Sequence, residues 1–298
     1  MKIREEQGKV HVAAPAKINI FLEILGKRPD GYHEIETVVQ EVSLYDYLSI
    51  EKSRGDNTIE FTCSYPNLTT GEDNLVLKAV RLFQEESGVL NGVKIHLDKK
   101  IPVGAGLGGG SSDAAATLAG LNKLWQTGYD IKKLASLAAK LGSDTAFFIY
   151  GNTAICRGRG EVVTPYPLLS KYNYIILYPR FEVSTALIYK NFKFDLTKKI
   201  KDVSFTLQTL LAGDPEKLGA YLYNRLEEVA FRIYPRLDEI KKTLETLGFC
   251  GTLLSGSGSA LYALYKGEKD QEKIEQKIKD LNIGDVFMVT SDFDDTAK

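Results

Sequence analysis

The chain has 298 residues, 44% hydrophobic and 26% charged, about two domains' worth of length with a composition that excludes disordered, collagen-like and low-complexity classes. Its 38 basic and 39 acidic residues leave a formal net charge of −1, so no long-range field holds it on nucleic acid or an anionic membrane, and any bound anion must be gripped locally. The scattered Cys63, Cys156 and Cys250 and the isolated His11, His33 and His96 match no disulfide, zinc or metalloprotease spacing, and no apolar window approaches the ~20 residues of a membrane span. A soluble cytoplasmic protein is expected, with no obligate protein partner.

The first pattern along the chain is strict alternation over residues 17–24, with Ile18, Ile20, Leu22 and Ile24 on one face and Lys17, Asn19, Phe21 and Glu23 on the other. This predicts a half-buried strand. Shorter alternating runs at 35–42, 46–52, 58–63 and 93–97 follow, punctuated by Pro29-Asp30-Gly31 and Gly55-Asp56-Asn57. Helical periodicity enters at 75–83, continues at 114–124 and returns at 131–141. Strands then helices, without regular alternation, predict an α+β fold.

A run at 174–178 after Pro165 and Pro167 predicts the opening strand of a second domain, dividing the chain into 1–169 and 170–298. Helices are expected at 204–212, 215–232 and 235–247, strands at 252–254 and 260–265, a helix at 270–281 and a last strand at 285–290. The charge-dense stretch 266–279 repeats Ile274 and Ile278 on one face, as a solvated surface helix does.

The sharpest feature is Pro102-Val103-Gly104-Ala105-Gly106-Leu107-Gly108-Gly109-Gly110-Ser111-Ser112-Asp113, which runs into an alanine-rich helix. Glycines cost backbone entropy but allow positive φ and close approach to a ligand. Ending on a helix N-terminus, with its free N–H groups, such a loop suits phosphate, and the hydroxyls of Ser111 and Ser112 add donors or a magnesium ligand. The alternative is a tight connection capped by Ser111, Ser112 or Asp113. Gly104, Gly106 and Gly109 fit the dinucleotide fingerprint, but Lys99-Lys100-Ile101-Pro102 stands immediately before the loop, where a Rossmann unit places a buried strand, and a second helix follows its helix. No Walker lysine or H-R-D segment is present.

Four further segments complete a constellation: Pro15-Ala16-Lys17-Ile18-Asn19, Asp30-Gly31-Tyr32-His33, Gly142-Ser143-Asp144 and Ser255-Gly256-Ser257-Gly258-Ser259. With the glycine loop they resemble the GHMP kinases over nearly the whole chain. P-A-K-I-N followed by D-G-Y-H is similar to the branch that acts on a cytidine-bearing alcohol. The resemblance implies a two-domain fold, with an N-terminal ribosomal-S5-like domain and a ferredoxin-like C-terminal domain around a cleft. It implies transfer of the γ-phosphate of ATP, with Mg2+, to the 2-hydroxyl of 4-diphosphocytidyl-2-C-methyl-D-erythritol in the non-mevalonate isoprenoid route.

An alcohol attacks phosphorus only if its proton has somewhere to go, and a carboxylate can take it. Asp144 is the candidate, and it reads equally as the cap of a short helix with Ser143. Lys17, otherwise an ordinary solvated lysine, becomes through the resemblance the cation that keeps Asp144 ionised and steadies charge on the phosphoryl group. Asn19 shares its face and is expected to bond the substrate. By resemblance the loop residues 102–112 hold ATP, His33 and Tyr32 meet the cytidine, and Tyr189 stacks on cytosine. Val39 stands where some relatives carry an aromatic, which would leave one side of a cytosine sandwich thin. Thr145-Ala146 replaces a common Val-Pro, and Arg159 is placed for substrate phosphate. A kinase for another alcohol, such as mevalonate or homoserine, would keep the loop without D-G-Y-H. A non-catalytic nucleotide-binding module would lack the Lys17 and Asp144 pair. Glycines 106 and 108 are expected to serve phosphate approach, with little bearing on stability.

Overall fold

The computed structural model describes residues 1–66, 68, 71, 73–167, 170–194, 199–267 and 271–291. Residues 168, 169 and 270, on which the expected boundary and the start of the expected last helix fall, lie outside these. In chain order the first half runs β1 (Lys2–Glu6), β2 (Lys9–Lys27), β3 (His33–Asp56), β4 (Ile59–Cys63), α1 (Leu75–Ser87), β5 (Asn91–Asp98), α2 (Gly109–Trp125), α3 (Ile131–Leu141), α4 (Thr145–Tyr150), β6 (Thr153–Gly158) and β7 (Val162–Pro165). The second half runs β8 (Asn173–Tyr178), α5 (Thr185–Asn191), α6 (Val203–Ala212), α7 (Pro215–Gly219), β9 (Tyr223–Asn224), α8 (Glu227–Ile233), α9 (Pro235–Glu245), β10 (Gly251–Leu254), β11 (Leu261–Tyr265), α10 (Gln271–Asp280) and β12 (Asp285–Thr290). The α+β class holds.

The first sheet is built on the long β2–β3 hairpin, with β1, β5 and β4, β6 and β7, and the short β9 around it. Its outermost β1, K-I-R-E-E, is exposed throughout, and a charged edge discourages pairing with other chains. The second sheet has the order β10-β11-β8-β12 and is antiparallel at every pair. With helices between β8 and β10 and between β11 and β12, this is the split βαβ arrangement of ferredoxin-like folds.

Three expectations are corrected. The runs 35–42 and 46–52 belong to one continuous strand, β3: Pro15 pairs with Tyr45 and Ala16 with Val42, so Ser43 and Leu44 are extra residues that β3 takes up as an irregularity without leaving its partner. The 17–24 strand is not half-buried: Lys17 is 5% exposed, Asn19 4%, Phe21 1% and Glu23 0%. Asn19 pairs with Val39 while Phe21 pairs with Val38, so Ile20 is an extra residue that resets the phase and sends Phe21 into the same core as Ile18 and Ile20. That core also takes Tyr174, Leu253 and Tyr262 from the second sheet, which covers the apolar face, while the polar face is buried by other partners, Lys17 against Leu107 and Asn19, and Glu23 against Lys201 and Arg225.

The expected helix 215–232 is two helices separated by β9. Asp214 caps α7 through Glu216 N and Lys217 N. Gly219 then packs so closely that a Cβ would lie 2.0 Å from the Cys250 carbonyl. The chain leaves the helix and pairs parallel with Phe21 and Leu22 of β2. Strands β1, β6 and β7 lie outside the sequence-predicted elements. Among the described residues no helix is long and apolar enough to cross a membrane.

Candidate active site

A cavity of about 1120 Å³ runs between the two sheets. It is lined by Lys17, Asn19, Tyr32, His33, Asp144, Arg159 and Tyr189, and by every glycine-loop residue from Pro102 to Ser111 except Gly109. The structure thus brings the sequence-predicted site residues together, with two exceptions in the loop. Gly109 lies behind it against Lys99 and Ile101. Ser112 is fully buried, off the cavity wall, and its hydroxyl has no hydrogen-bond partner. Ser111 is the hydroxyl that faces the cavity.

Lys17 is fixed from three sides. Its N–H donates to the Leu107 carbonyl at 2.9 Å, and its Nζ donates to Asn19 Oδ1 at 2.7 Å and lies 3.4 Å from Asp144 Oδ2. The Asn19 amide donates to Thr37 Oγ1, whose hydroxyl donates to the Phe21 carbonyl, at 2.9 and 2.6 Å. Asn19 is therefore a strut for the lysine as well as a wall residue. Asp144 occupies the N-cap position of α4 yet makes no side-chain cap bond. The carboxylate turns instead to Lys17 and the cavity. Thr145 and Ala146 follow it as buried residues, so their departure from Val-Pro stays beneath the site. Nearby Cys156 is pushed up to about 12 by burial and by the Asp144 charge, which keeps it a thiol.

Gly104, Gly106 and Gly108 have φ of +65°, +76° and +71°, a left-handed conformation that glycine adopts without steric cost. A Cβ at Gly106 would lie 2.2 Å from the Ser255 carbonyl, and one at Gly108 2.9 Å from both Lys17 Cγ and Phe148 Cζ. Packing therefore demands these glycines, contrary to the expectation that they serve phosphate approach alone. Gly108, in the left-handed region, is the N-cap of α2. Ser111, Ser112 and Asp113 sit inside the helix and do not cap it. The loop meets the G-S-G-S turn through Ser255 Oγ donating to the Gly106 carbonyl and Ala260 N donating to the Ala105 carbonyl, both at 3.0 Å.

A buried cluster that sequence reading missed anchors both ends of the loop. Asp46 Oδ1 accepts from Lys100 N at 2.5 Å and Ile101 N at 2.8 Å, and Lys99 Nζ bridges Asp46 Oδ2 to Asp113 Oδ2 of α2. Burial, with Asp46 adding to it and Lys99 opposing, raises the Asp113 carboxyl well above its ordinary range. Burial lowers the Lys99 ammonium, but the two carboxylates outweigh it. The sequence signal was weak: Lys99 reads as half of a polar doublet before Ile101.

At the far end His33 lies 5.3 Å from the Tyr189 ring and 5.8 Å, edge on, from Phe192. Phe192, three residues beyond Tyr189 and missed from sequence, completes an aromatic wall. Burial and the Lys27 charge lower the His33 pKa, favouring neutral imidazole. Burial, then Asp144, raises the Tyr189 hydroxyl, which stays protonated. Arg159 stacks 4.8 Å over the exposed Tyr32 ring and pairs with Glu161 at 3.7 Å. Val39 is a correction: 5% exposed and packed with Ala115, Phe147 and Phe148, it belongs to the core behind α4 and forms no side of a base pocket.

The geometry agrees with comparisons to known proteins. Residues 74–152 match the GHMP kinases N terminal domain and residues 206–283 the GHMP kinases C terminal. A 4-diphosphocytidyl-2-C-methyl-D-erythritol kinase of Pelotomaculum thermopropionicum is 42% identical over 84% of this chain and 87% of its own. A crystal structure of a 4-(cytidine 5'-diphospho)-2C-methyl-D-erythritol kinase superposes with a TM-score of 0.78 at 35% identity, covering 94% of this chain and 98% of that one. A homoserine kinase from Cytophaga hutchinsonii shares the fold, with a TM-score of 0.74 at 21% identity over 98% and 97% of the two chains. The chain belongs to the 4-diphosphocytidyl-2-C-methyl-D-erythritol kinase family of the GHMP kinases.

Proposed function

We propose that this protein transfers the γ-phosphate of ATP to the 2-hydroxyl of 4-diphosphocytidyl-2-C-methyl-D-erythritol, with residues 1–169 and 170–298 as the two lobes around the cleft. The observation that carries the reading is the Lys17–Asp144 pair at 3.4 Å, set in one cavity between the glycine loop and the His33, Tyr189 and Phe192 wall. Asp144 takes the proton of the attacking hydroxyl, and Lys17 positions that carboxylate and balances charge on the transferring group. The loop N–H groups and the α2 N-terminus receive the phosphates. Tyr189 and Phe192 offer the cytosine apolar faces, and neutral His33 offers one donor and one acceptor for its edge. Arg159, held flat on Tyr32, turns charge toward the diphosphate.

Magnesium coordinates through nucleotide phosphates and water with few protein oxygens. The donor set fits that mode, since the described residues form no group of three or more acidic, imidazole or thiol side chains able to hold a metal, and Ser111 puts one hydroxyl on the wall. Bound there, the ion neutralises phosphate charge.

The decisive experiment incubates purified protein with magnesium-ATP and the diphosphocytidyl alcohol, mevalonate or homoserine, identifying product by mass. Phosphorylation of the first alone is expected. Preference for either of the others refutes the assignment.

A further inference from the structure

The segment Asn224-Arg225-Leu226-Glu227 carries buried polar groups that the mechanism above does not use. Asn224 is 4% exposed and its carboxamide is fully engaged: Nδ2 donates to the Leu254 and Gly256 carbonyls at 2.8 and 2.7 Å, and Oδ1 accepts from Leu226 N at 2.9 Å. Glu227 Oε1 accepts from Leu254 N at 2.9 Å, and its other oxygen pairs with Lys241 at 2.7 Å. Two side chains thus grip both backbone groups of Leu254 and the carbonyl two residues later. The grip holds the turn between β10 and β11, which touches the catalytic centre. The Gly256 α-carbon faces the site so closely that a Cβ there would lie 3.4 Å from Asn19 Oδ1 and 3.5 Å from Lys17 Nζ. On its other side the same turn supports Gly106 through Ser255.

The anchor of this grip is the catalytic strand itself. Strand β9 pairs parallel with Phe21 and Leu22 of β2, and Arg225 N donates to the Leu22 carbonyl at 2.8 Å. Glu23, next on β2 and fully buried, lies 3.5 Å from Arg225 Nε. The segment therefore references β2, which carries Lys17 and Asn19, and transmits that position to the Gly256 turn.

We infer that Asn224 and Glu227 are positioning residues that hold the Gly256 turn against Lys17 and Gly106, so that the catalytic ammonium and the phosphate loop share one fixed register across the two sheets. Buried donors satisfied by backbone on a functional turn leave little slack, and a displacement of about 1 Å at a reacting centre is worth up to about a hundredfold in rate.

The kinetic test rests on the kinase reading, which wild-type turnover of the diphosphocytidyl alcohol checks by itself. Asn224→Ala removes both donors, and Gly256→Ala perturbs the turn from the side that faces Lys17 and Asn19, with the Asn224 side chain itself retained. Active sites are counted by calorimetric titration with a non-hydrolysable ATP analogue. Each variant should lose about ten- to a hundredfold in kcat per site, with the KM for the alcohol within twofold, because the aromatic wall is untouched. The double variant should be little worse than the poorer single one. Amide exchange, which needs no turnover, should rise at 254–258 and 105–108 together in Asn224→Ala and stay unchanged in β12. An unchanged kcat per site with only a lower melting temperature, multiplicative losses in the double variant, or exchange that rises in neither segment would overturn the inference. Should Asn224→Ala fail to fold, Gly256→Ala alone decides: wild-type kcat there overturns it.

Discussion

Lys17 and Asp144 form an ion pair of unequal exposure: with Nζ 3.4 Å from Oδ2, the lysine side chain is 6% exposed and the aspartate 45%. The ammonium is desolvated, and Asn19 supplies the hydrogen bond it needs there. The carboxylate keeps a free side toward the cavity, where a substrate proton would arrive. A buried cation beside an open carboxylate suits a base that must stay ionised and still be reached.

Asp144→Asn is expected to lower kcat by about a hundred- to ten-thousandfold and to leave nucleotide binding nearly intact, since the amide fills the same volume without accepting the proton. Lys17→Ala should fall comparably. The double variant should lose far less than the product of the two, because the groups act as a unit. Steady-state kinetics with calorimetry on the same preparations checks all three.

Gly106→Ala should lower both melting temperature and ATP affinity. The new Cβ would meet the Ser255 carbonyl at 2.2 Å at a φ of +76°, and relieving that contact moves the loop. Left-handed backbone costs a non-glycine residue about 1–2 kcal/mol before any clash. Thermal denaturation and nucleotide titration should move together, and an affinity loss without a melting shift would contradict the packing role.

Lys99→Met leaves Asp46 and Asp113 facing each other in a buried site, and breaking such a pair costs about 3–5 kcal/mol. Adding Asp113→Asn should recover part of the loss, because it removes one of the stranded carboxyls. Denaturant unfolding of the single and double variants measures the difference.

The cytosine end predicts a pH signature. The His33 pKa is lowered from 6.5, so the ring is neutral through neutral pH and charges only below that value. Above 6.5 folded and unfolded chains alike hold it neutral. As pH falls through the lowered value, the unfolded state binds the proton first and stability drops. The KM for the alcohol should be flat from pH 7 upward and should change only in the acid range. His33→Ala should remove that change and reduce discrimination against the uridine analogue, whose reversed edge leaves groups unpaired at about 1–3 kcal/mol each. Tyr189→Ala should raise KM with little change in kcat. Val39→Phe, by overfilling the core of Phe147 and Phe148, should destabilise the protein and leave selectivity unchanged.

Local chemistry made much of this protein legible. Helix α3 is where its apolar period places it, because Asp130 caps its start through Lys133 N and Gly142 ends it. The glycine loop stands out by its residue types alone, whereas Lys17, His33 and Tyr189 stand out only through the resemblance to the GHMP kinases, and Asp144 reads on its own as equally a helix cap. Phe192, Asp46, Lys99 and Asn224 do not stand out, since each acts through a partner distant in sequence and none stands in a telling local pattern.

Local patterns are enough to read the α+β class and the helices whose caps and periods lie within a few residues of one another. Which faces are buried, and what each site residue touches, follow from contacts between distant segments. An extra residue at Ile20 shifts the phase of β2, Arg225 and Lys201 bury a Glu23 that reads as solvent-exposed, and the pairing of Tyr223 and Asn224 with β2 breaks an otherwise plausible helix. Each of these outcomes depends on pairing between segments far apart in the chain, where long-range burial and backbone hydrogen bonds outweigh local propensity.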